Sequence, residues 1–233
     1  MTKSEKFLEK FKKLEKSLRE MVNKPKYIPF WELVKEARKI NPVVEEYQED
    51  LRELAELRNG IVHTPKGKII AEVSDFAIEL IQEIYQKITK PPTAFEIASR
   101  PVYCCQLEDS LLSQLKVMRE KIYTHVPVYN GEKFVGVLSE NSIFNWYCDV
   151  GQKISISSKT KVKEIKPYLD IHNRENEYFE FVKKDENAYK IKKWFSQAIK
   201  KNKRLGAVFV TKDGTPKGEM LGIITAWDLP RIK

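Results

Sequence analysis

One pattern of two short apolar strands around a glycine turn occurs twice in the second half of the chain. Residues 125–129 read as a strand, a turn follows at Asn130 and Gly131, and a second strand over 135–138 ends at Ser139. The same order returns over 207–211, 213–214 and 221–224, and it ends at Thr225. Each strand pair follows an amphipathic helix, over 111–121 or 188–200, and precedes a further short helix. The repetition predicts one β-α-β-β-α unit used twice.

The first 90 residues have helical periodicity instead. Apolar residues recur every three or four positions over 4–22, 30–40, from 43 onward and over 71–89, which is the spacing that forms one apolar stripe on a helix. The stripes of the last two helices comprise Tyr47, Leu51, Leu54 and Ile61, and then Val73, Phe76, Leu80, Ile84 and Ile88. Because no such helix can bury its stripe alone, the pattern predicts a four-helix bundle.

Pro91 and Pro92 mark the boundary between the helical part and the strand-rich part of the chain, since consecutive prolines cannot continue a helix. The sequence thus predicts an α + α/β chain in three parts. These are a helical bundle over 1–90, a proline-rich linker over 91–99, and a pair of repeats over 100–233, divided at about 100–150 and 160–233.

Composition limits the partners. The 42 lysines and arginines exceed the 33 acidic residues and give a net charge of +9, which favours anionic partners such as nucleotides or nucleic acid. No apolar run approaches the roughly 18–20 residues that span a bilayer, and the start does not resemble a secretory signal. The three cysteines lack metal-ligand spacing. We therefore expect a cytoplasmic protein with no membrane partner, no metal and no obligatory cofactor.

The most specific motif is Gly222-Ile-Ile-Thr-Ala-Trp-Asp228. It resembles the glycine, apolar pair, hydroxyl and aspartate of the CBS domain family, and the repeat over 95–233 resembles the tandem pair called a Bateman module. The resemblance implies that Thr225 contacts the phosphates or ribose of an adenine nucleotide (AMP, ADP or ATP) and that Asp228 accepts both ribose hydroxyls. Hydrogen bonds to a charged group contribute about 1.5–3 kcal/mol each. The alternative is an ordinary N-cap, in which Thr225 or Asp228 satisfies backbone N–H groups.

The first repeat departs from this motif, because Ser142 stands where the aspartate is expected after Ser139. A serine cannot replace an ionised acceptor for a diol, so we expect one occupied site in the pair, or a weak second one. Lys203 and Arg204 precede a repeat strand, where the resemblance implies phosphate contacts, and His125 begins the equivalent strand. Their alternatives are a solvated basic face and a structural histidine.

The predicted third helix carries Arg58, Asn59 and His63. This arrangement on the third helix of a small bundle resembles the ribonuclease signature of the HEPN family. The spacing of four residues places Asn59 and His63 on one helix face. The resemblance implies metal-independent RNA cleavage at a homodimer cleft, with proton transfer by His63 and phosphate stabilisation by Arg58. The alternative is a tapering helix end with His63 on the last carbonyls.

These features lead to three hypotheses. The first is a regulatory protein in which an adenine-nucleotide-sensing CBS pair controls a HEPN-like domain that cleaves RNA. The second is a non-catalytic sensor whose helical domain dimerises or binds a partner. Nucleic-acid binding by the basic surface alone ranks last, because the sequence lacks the recognition motifs of that class. Both resemblances imply a homodimer.

Overall fold

The computed structural model describes residues 1–23, 27–62, 72–151, 156–172, 174 and 177–232. The chain divides into two compact units, Met1–Pro92 and Thr93–Lys233. In the described ranges, no helix combines the length and the apolar character that a membrane span requires.

The first unit is helical. Its elements are α1 (Lys3–Val22), α2 (Phe30–Ile40), α3 (Pro42–Glu46), α4 (Gln48–Val62) and α5 (Asp75–Thr89). The helix α1 packs against α2, α4 and α5, and its buried stripe is formed by Phe7, Phe11, Leu14 and Leu18. Thr2 and Glu5 form a capping box that fixes the start of α1.

Two expectations for this unit are wrong in detail. The predicted third helix is divided at Tyr47, whose φ of −101° and ψ of 20° end α3 before α4 begins, so the described part of the unit has five helices rather than four. The predicted fourth helix begins at Asp75 after the cap residue Ser74. Phe76, placed on its buried stripe, is 70% exposed.

The error at Phe76 has a simple geometric cause. The predicted and the buried stripes of α5 share Ile84 and Ile88, and they differ only in the first half of the helix. The buried set is Ala77, Ile81, Ile84 and Ile88. Periodicity alone cannot choose between the two stripes, because both satisfy the same spacing.

The second unit contains two small sheets of three strands each. They comprise β1 (Cys105–Gln106), β2 (His125–Asn130) and β3 (Lys133–Ser139), and then β4 (Tyr178–Val182), β5 (Leu205–Thr211) and β6 (Met220–Ile224). In each sheet the first strand is parallel to the middle strand and the third is antiparallel to it. The helices α7 (Leu111–Lys121) and α9 (Ala188–Lys200) make the parallel crossovers. The repeated pair of small sheets is therefore confirmed.

The two sheets meet in a shared apolar cluster. Its buried residues are Val137 of β3 and Ala207 and Phe209 of β5. Phe134 makes edge-on contacts with the rings of Phe181 and Phe209, and Phe181 makes a tilted contact with Phe209. After the hairpins, the first repeat continues into α8 (Glu140–Val150), whereas the second ends in a short 3₁₀ helix, Ala226–Arg231.

The linker expected over 91–99 is shorter in the structure. Thr93 caps a one-turn helix, α6 (Ala94–Ile97), and Ala94, Ile97 and Ala98 are buried in the core of the second sheet. Ser99 then pairs with Ile223 of β6. The segment that precedes the first repeat in sequence therefore covers the second repeat in space.

The glycine of each repeat motif permits this covering. A Cβ atom on Gly222 would lie 2.7 Å from the Cβ of Ala98, and one on Gly136 would lie 2.0 Å from the carbonyl oxygen of Leu169. The same Leu169 oxygen accepts a hydrogen bond from the Val137 amide at 2.9 Å. The motif glycine is thus required by packing, because a backbone carbonyl occupies the side-chain position at Gly136 and the Ala98 side chain occupies it at Gly222.

We expect Gly136→Ala to destabilise the second unit by at least about 2 kcal/mol, because overpacking against a fixed backbone carbonyl has no flexible side chain to absorb it. The melting temperature should fall by about 4–8 °C. Lys133→Ala, at an exposed position of the same strand, is the control and should change stability by less than about 0.5 kcal/mol. Equal melting temperatures for Gly136→Ala and the control would contradict the packing role.

Candidate functional site

The carboxylate of Asp228 lies where β6 meets the 3₁₀ helix Ala226–Arg231. Its Oδ2 accepts hydrogen bonds from the backbone N–H of Thr225 at 2.8 Å and from the Thr225 hydroxyl at 3.0 Å. Its Oδ1 accepts from the Ser99 hydroxyl at 2.7 Å and lies 2.9 Å from Nη1 of Arg231. The residue is 5% exposed, so its orientation is fixed from both sides.

This carboxylate lines a cleft of about 1220 Å³. The walls are formed by the segment after α6, by the chain from the end of α7 to the start of β2, and by β6 with the residues that follow it. Aromatic and cationic side chains contribute to the lining, namely Tyr103, Tyr123, Trp227, Arg100, Lys121 and Arg231. The rings of Tyr103 and Tyr123 stack with their centres 5.7 Å apart.

The arrangement offers three kinds of contact to one ligand. Asp228 supplies an ionisable acceptor, the cations supply charge for an anionic group, and the tyrosines supply a flat apolar surface. Cavities that bind small molecules are commonly about 300–1,000 Å³, with few polar groups in an apolar lining. At about 1220 Å³ this cleft lies above that range, so it has room for a phosphorylated, ring-containing molecule, and its lining has the matching chemistry.

The structure separates the residues predicted for the nucleotide site into two clefts. Thr225, Asp228 and His125 line the cleft just described. Lys203 and Arg204 line a second cleft of about 350 Å³. Ser139 is only 1% exposed.

The second cleft has Glu177 at its base, where the first repeat motif ends. Glu177 Oε2 accepts from the Ser139 hydroxyl at 2.8 Å and from Arg174 Nη1 at 2.7 Å. Its Oε1 accepts from Asn141 Nδ2 at 3.1 Å and lies 2.9 Å from Nε2 of His125. Since an ionised carboxylate can only accept, Nε2 of His125 carries the proton. Nδ1 of that ring lies 2.8 Å from the Thr124 hydroxyl oxygen.

Glu177 is ionised in this network. Burial would raise the pKa of its carboxyl group, but hydrogen bonds from His125 and Ser139 and the charge of Arg174 together lower the pKa to about 2. The Arg174 guanidinium also donates to Ser142 Oγ at 3.1 Å. The buried pair therefore satisfies the polar groups of the first repeat motif from within the protein.

Sequence reasoning missed Glu177, Arg174 and Ser99. Ser99 carries no motif signal, because it reaches Asp228 across 129 positions of sequence. Glu177 lies 38 positions from Ser139, in a polar segment without periodicity. The one available signal was the missing aspartate at Ser142, which leaves the motif hydroxyl without a charged partner.

The N-terminal signature residues lie near the end of α4. The helix continues through Gly60 to Val62, and Arg58 Nη1 donates to Asn59 Oδ1 at 2.9 Å. His63 lies outside the described residues. In the described part of the chain, no group of three histidine, cysteine or acidic side chains could hold a metal ion.

The comparison with protein families identifies a CBS domain in the chain. The CBS domain model matches residues 94–149, which include the whole of the first sheet. No curated protein matches the sequence.

Several solved structures are similar to part of the chain. A putative signal-transduction protein with CBS domains from Burkholderia ambifaria MC40-6 is 19% identical, with a TM-score of 0.43, over 60% of this chain and 91% of that one. The CBS domain pair of protein MJ0100, in complex with 5′-methylthioadenosine and S-adenosyl-L-methionine, is 18% identical, with a TM-score of 0.42, over 60% and 94%. The CBS domain of a bacterial CNNM/CorC family Mg²⁺ transporter, in complex with ATP, is 22% identical, with a TM-score of 0.42, over 66% and 93%.

We predict a pH signature for the Glu177 network. A lowered pKa stabilises the fold above the ordinary carboxyl value, and this contribution is lost as the pH falls towards about 2. The stability difference between the wild type and Glu177→Gln should therefore shrink by about 2 kcal/mol between about pH 6 and pH 3. Denaturant unfolding at several pH values measures it.

The control for this experiment is Glu219→Gln, at an exposed glutamate of the same unit. It should differ from the wild type by less than about 0.5 kcal/mol at neutral pH. Parallel stability curves for the wild type and Glu177→Gln across the acid range would show that the carboxylate is not stabilised as described.

Proposed function

We propose that the second unit binds an adenine nucleotide in the Asp228 cleft as a regulatory ligand. The observation that carries the proposal is the buried Asp228 carboxylate, held at the base of a cleft with cations and aromatic rings in its wall. The CBS domain match over 94–149 supports it, because the family resemblance of the sequence implies such ligands. AMP, ADP and ATP are all candidates.

Binding would proceed as an exchange of hydrogen bonds at one oxygen of Asp228. Thr225 holds Oδ2 through two contacts, so the carboxylate keeps its orientation. Oδ1 is held by Ser99 and by Arg231, whose side chain is 53% exposed. The two ribose hydroxyls can replace the Ser99 and Arg231 contacts at Oδ1, and the released guanidinium can turn towards a phosphate.

The remaining groups of the ligand have partners in the same cleft. Arg100 and Lys121 supply positive charge for the phosphates, and Tyr103 and Tyr123 offer ring faces for the base. Lys203 and Arg204 line the other cleft, so the phosphate role expected for them would apply only to a ligand bound there.

We predict that Asp228→Asn weakens binding of AMP, ADP or ATP by about 10- to 100-fold, because the amide lacks the charge that strengthens the ribose hydrogen bonds and presents an NH₂ donor in place of one acceptor oxygen. Isothermal titration calorimetry with each nucleotide measures the dissociation constant. At a ligand concentration of 100 times that constant, the wild type should gain about 2.7 kcal/mol of stability. This gain in stability on addition of nucleotide should be absent in Asp228→Ala.

The matched control is Asp185→Ala, at an exposed aspartate of the same unit. It lies outside the Asp228 cleft and should bind as the wild type does. Unchanged affinity in Asp228→Asn, with the control also unchanged, would remove Asp228 from the site.

We also propose that nucleotide occupancy regulates the N-terminal helical unit. A ligand shifts an equilibrium only if its affinity differs between two states, so the second unit must bind the nucleotide better in one of them. RNA cleavage by Arg58, Asn59 and His63 is the enzymatic form of this proposal. A helical unit that dimerises or binds a partner without catalysis is the alternative.

The ribonuclease hypothesis predicts cleavage of structured RNA by metal-free protein, and loss of that cleavage in His63→Ala. Gel analysis with and without ATP measures the activity and its regulation. Phe76→Ser, at an exposed position of α5, is the control and should retain activity. Cleavage that persists in His63→Ala would contradict the role given to that residue. No cleavage by the wild type under any nucleotide condition would favour the non-catalytic alternative.

A further inference from the structure

We propose that Glu177 is an internal carboxylate that closes the second cleft, so that each chain binds one nucleotide. This inference rests on the proposed function, since it concerns the number of sites. Glu177 supplies the carboxylate that the first repeat motif lacks at Ser142, and replacing Glu177 should open the second cleft.

The two motifs end in the same local geometry. The backbone N–H of Thr225 donates to Asp228 Oδ2 at 2.8 Å, and that of Ser139 donates to Ser142 Oγ at 3.1 Å. Ser142 therefore reproduces the cap of its counterpart. It brings no negative charge, so the carboxylate beside the motif hydroxyl must come from elsewhere.

Glu177 supplies that carboxylate. It accepts the Ser139 hydroxyl at 2.8 Å, as Asp228 accepts the Thr225 hydroxyl at 3.0 Å. Its side chain is 2% exposed. The motif hydroxyl is consequently directed at a residue of the protein, and an anionic ligand that approached it would meet a buried negative charge.

Glu177 is packed closely against β5 on the side away from the second cleft. A Cβ atom on residue 206 would lie 2.9 Å from Glu177 Oε1 and 2.8 Å from Nε2 of His125. Only the glycine at this position, Gly206, admits both groups. The carboxylate therefore has a fixed position at the wall of the second cleft, held by its hydrogen bonds and by the close approach of β5.

The arginines beside the two carboxylates differ in exposure and in the number of backbone groups that hold them. Arg231 is about half exposed, and it can leave Asp228 when a ligand arrives. The Arg174 side chain is 6% exposed, and it donates to the carbonyl oxygens of Asp170 at 2.8 Å and of Tyr168 at 3.0 Å. The Arg231 contact of Asp228 can thus be exchanged for a ligand contact, whereas the Arg174 contact of Glu177 is fixed.

Photolabelling with 8-azido-ATP, followed by peptide mapping, resolves the two clefts in the full chain. We expect wild-type label only around the Asp228 cleft, in peptides covering 98–125 and 220–232. The test variant combines Glu177→Gln with Ser142→Asp, which moves the charge to the motif position beside Arg174. This variant should gain label over 194–204, and its ATP stoichiometry in isothermal titration should rise from one to two per chain.

The control is Ser142→Asp alone, which keeps Glu177 and should label as the wild type does. Label over 194–204 in the wild type would overturn the inference, and so would a folded double variant that gains none there. If the double variant does not fold, the wild-type map decides the question. Absence of label around Asp228 in every protein would instead refute the proposed function, independently of the result over 194–204.

Discussion

A buried carboxylate must be hydrogen-bonded and paired, and this requirement shapes both strand-to-helix junctions of the second unit. Leaving such a charge without partners costs several kcal/mol. Asp228 meets the requirement with Thr225, Ser99 and Arg231. Glu177 meets it with Ser139, Asn141, His125 and Arg174. The hydroxyl residue at the end of the strand is capped by the residue three positions later in both repeats, and the partners of the two carboxylates differ.

That difference turns a symmetric framework into an asymmetric receptor. A half-exposed arginine next to Asp228 allows the protein contact to be exchanged for a ligand contact. A buried arginine with several backbone acceptors holds Glu177 in place. His125 belongs to both regions, since its ring lines the Asp228 cleft and its Nε2 donates to Glu177. A nucleotide bound in the Asp228 cleft would therefore lie next to His125, which helps to hold Glu177 in place.

The sequence predicted what local pattern controls. Strand, glycine turn, strand and hydroxyl residue recur within short spans, so the two sheets and the position of Asp228 followed from them. The choice of buried face on α5 could not be predicted, because Phe76 and Ala77 begin equally regular stripes. Glu177 could not be predicted either, since its contacts join residues far apart in sequence, and only the fold brings them together.

The central claim is that Asp228 recognises a ribose through its two hydroxyl groups. Isothermal titration of the full chain with ATP and with 2′,3′-dideoxy-ATP tests it most directly, because the two ligands differ only in those hydroxyls. We predict that the dideoxy compound binds at least about 100-fold more weakly, which corresponds to the loss of two hydrogen bonds to a charged acceptor. Equal affinities for the two ligands would contradict this account of the site.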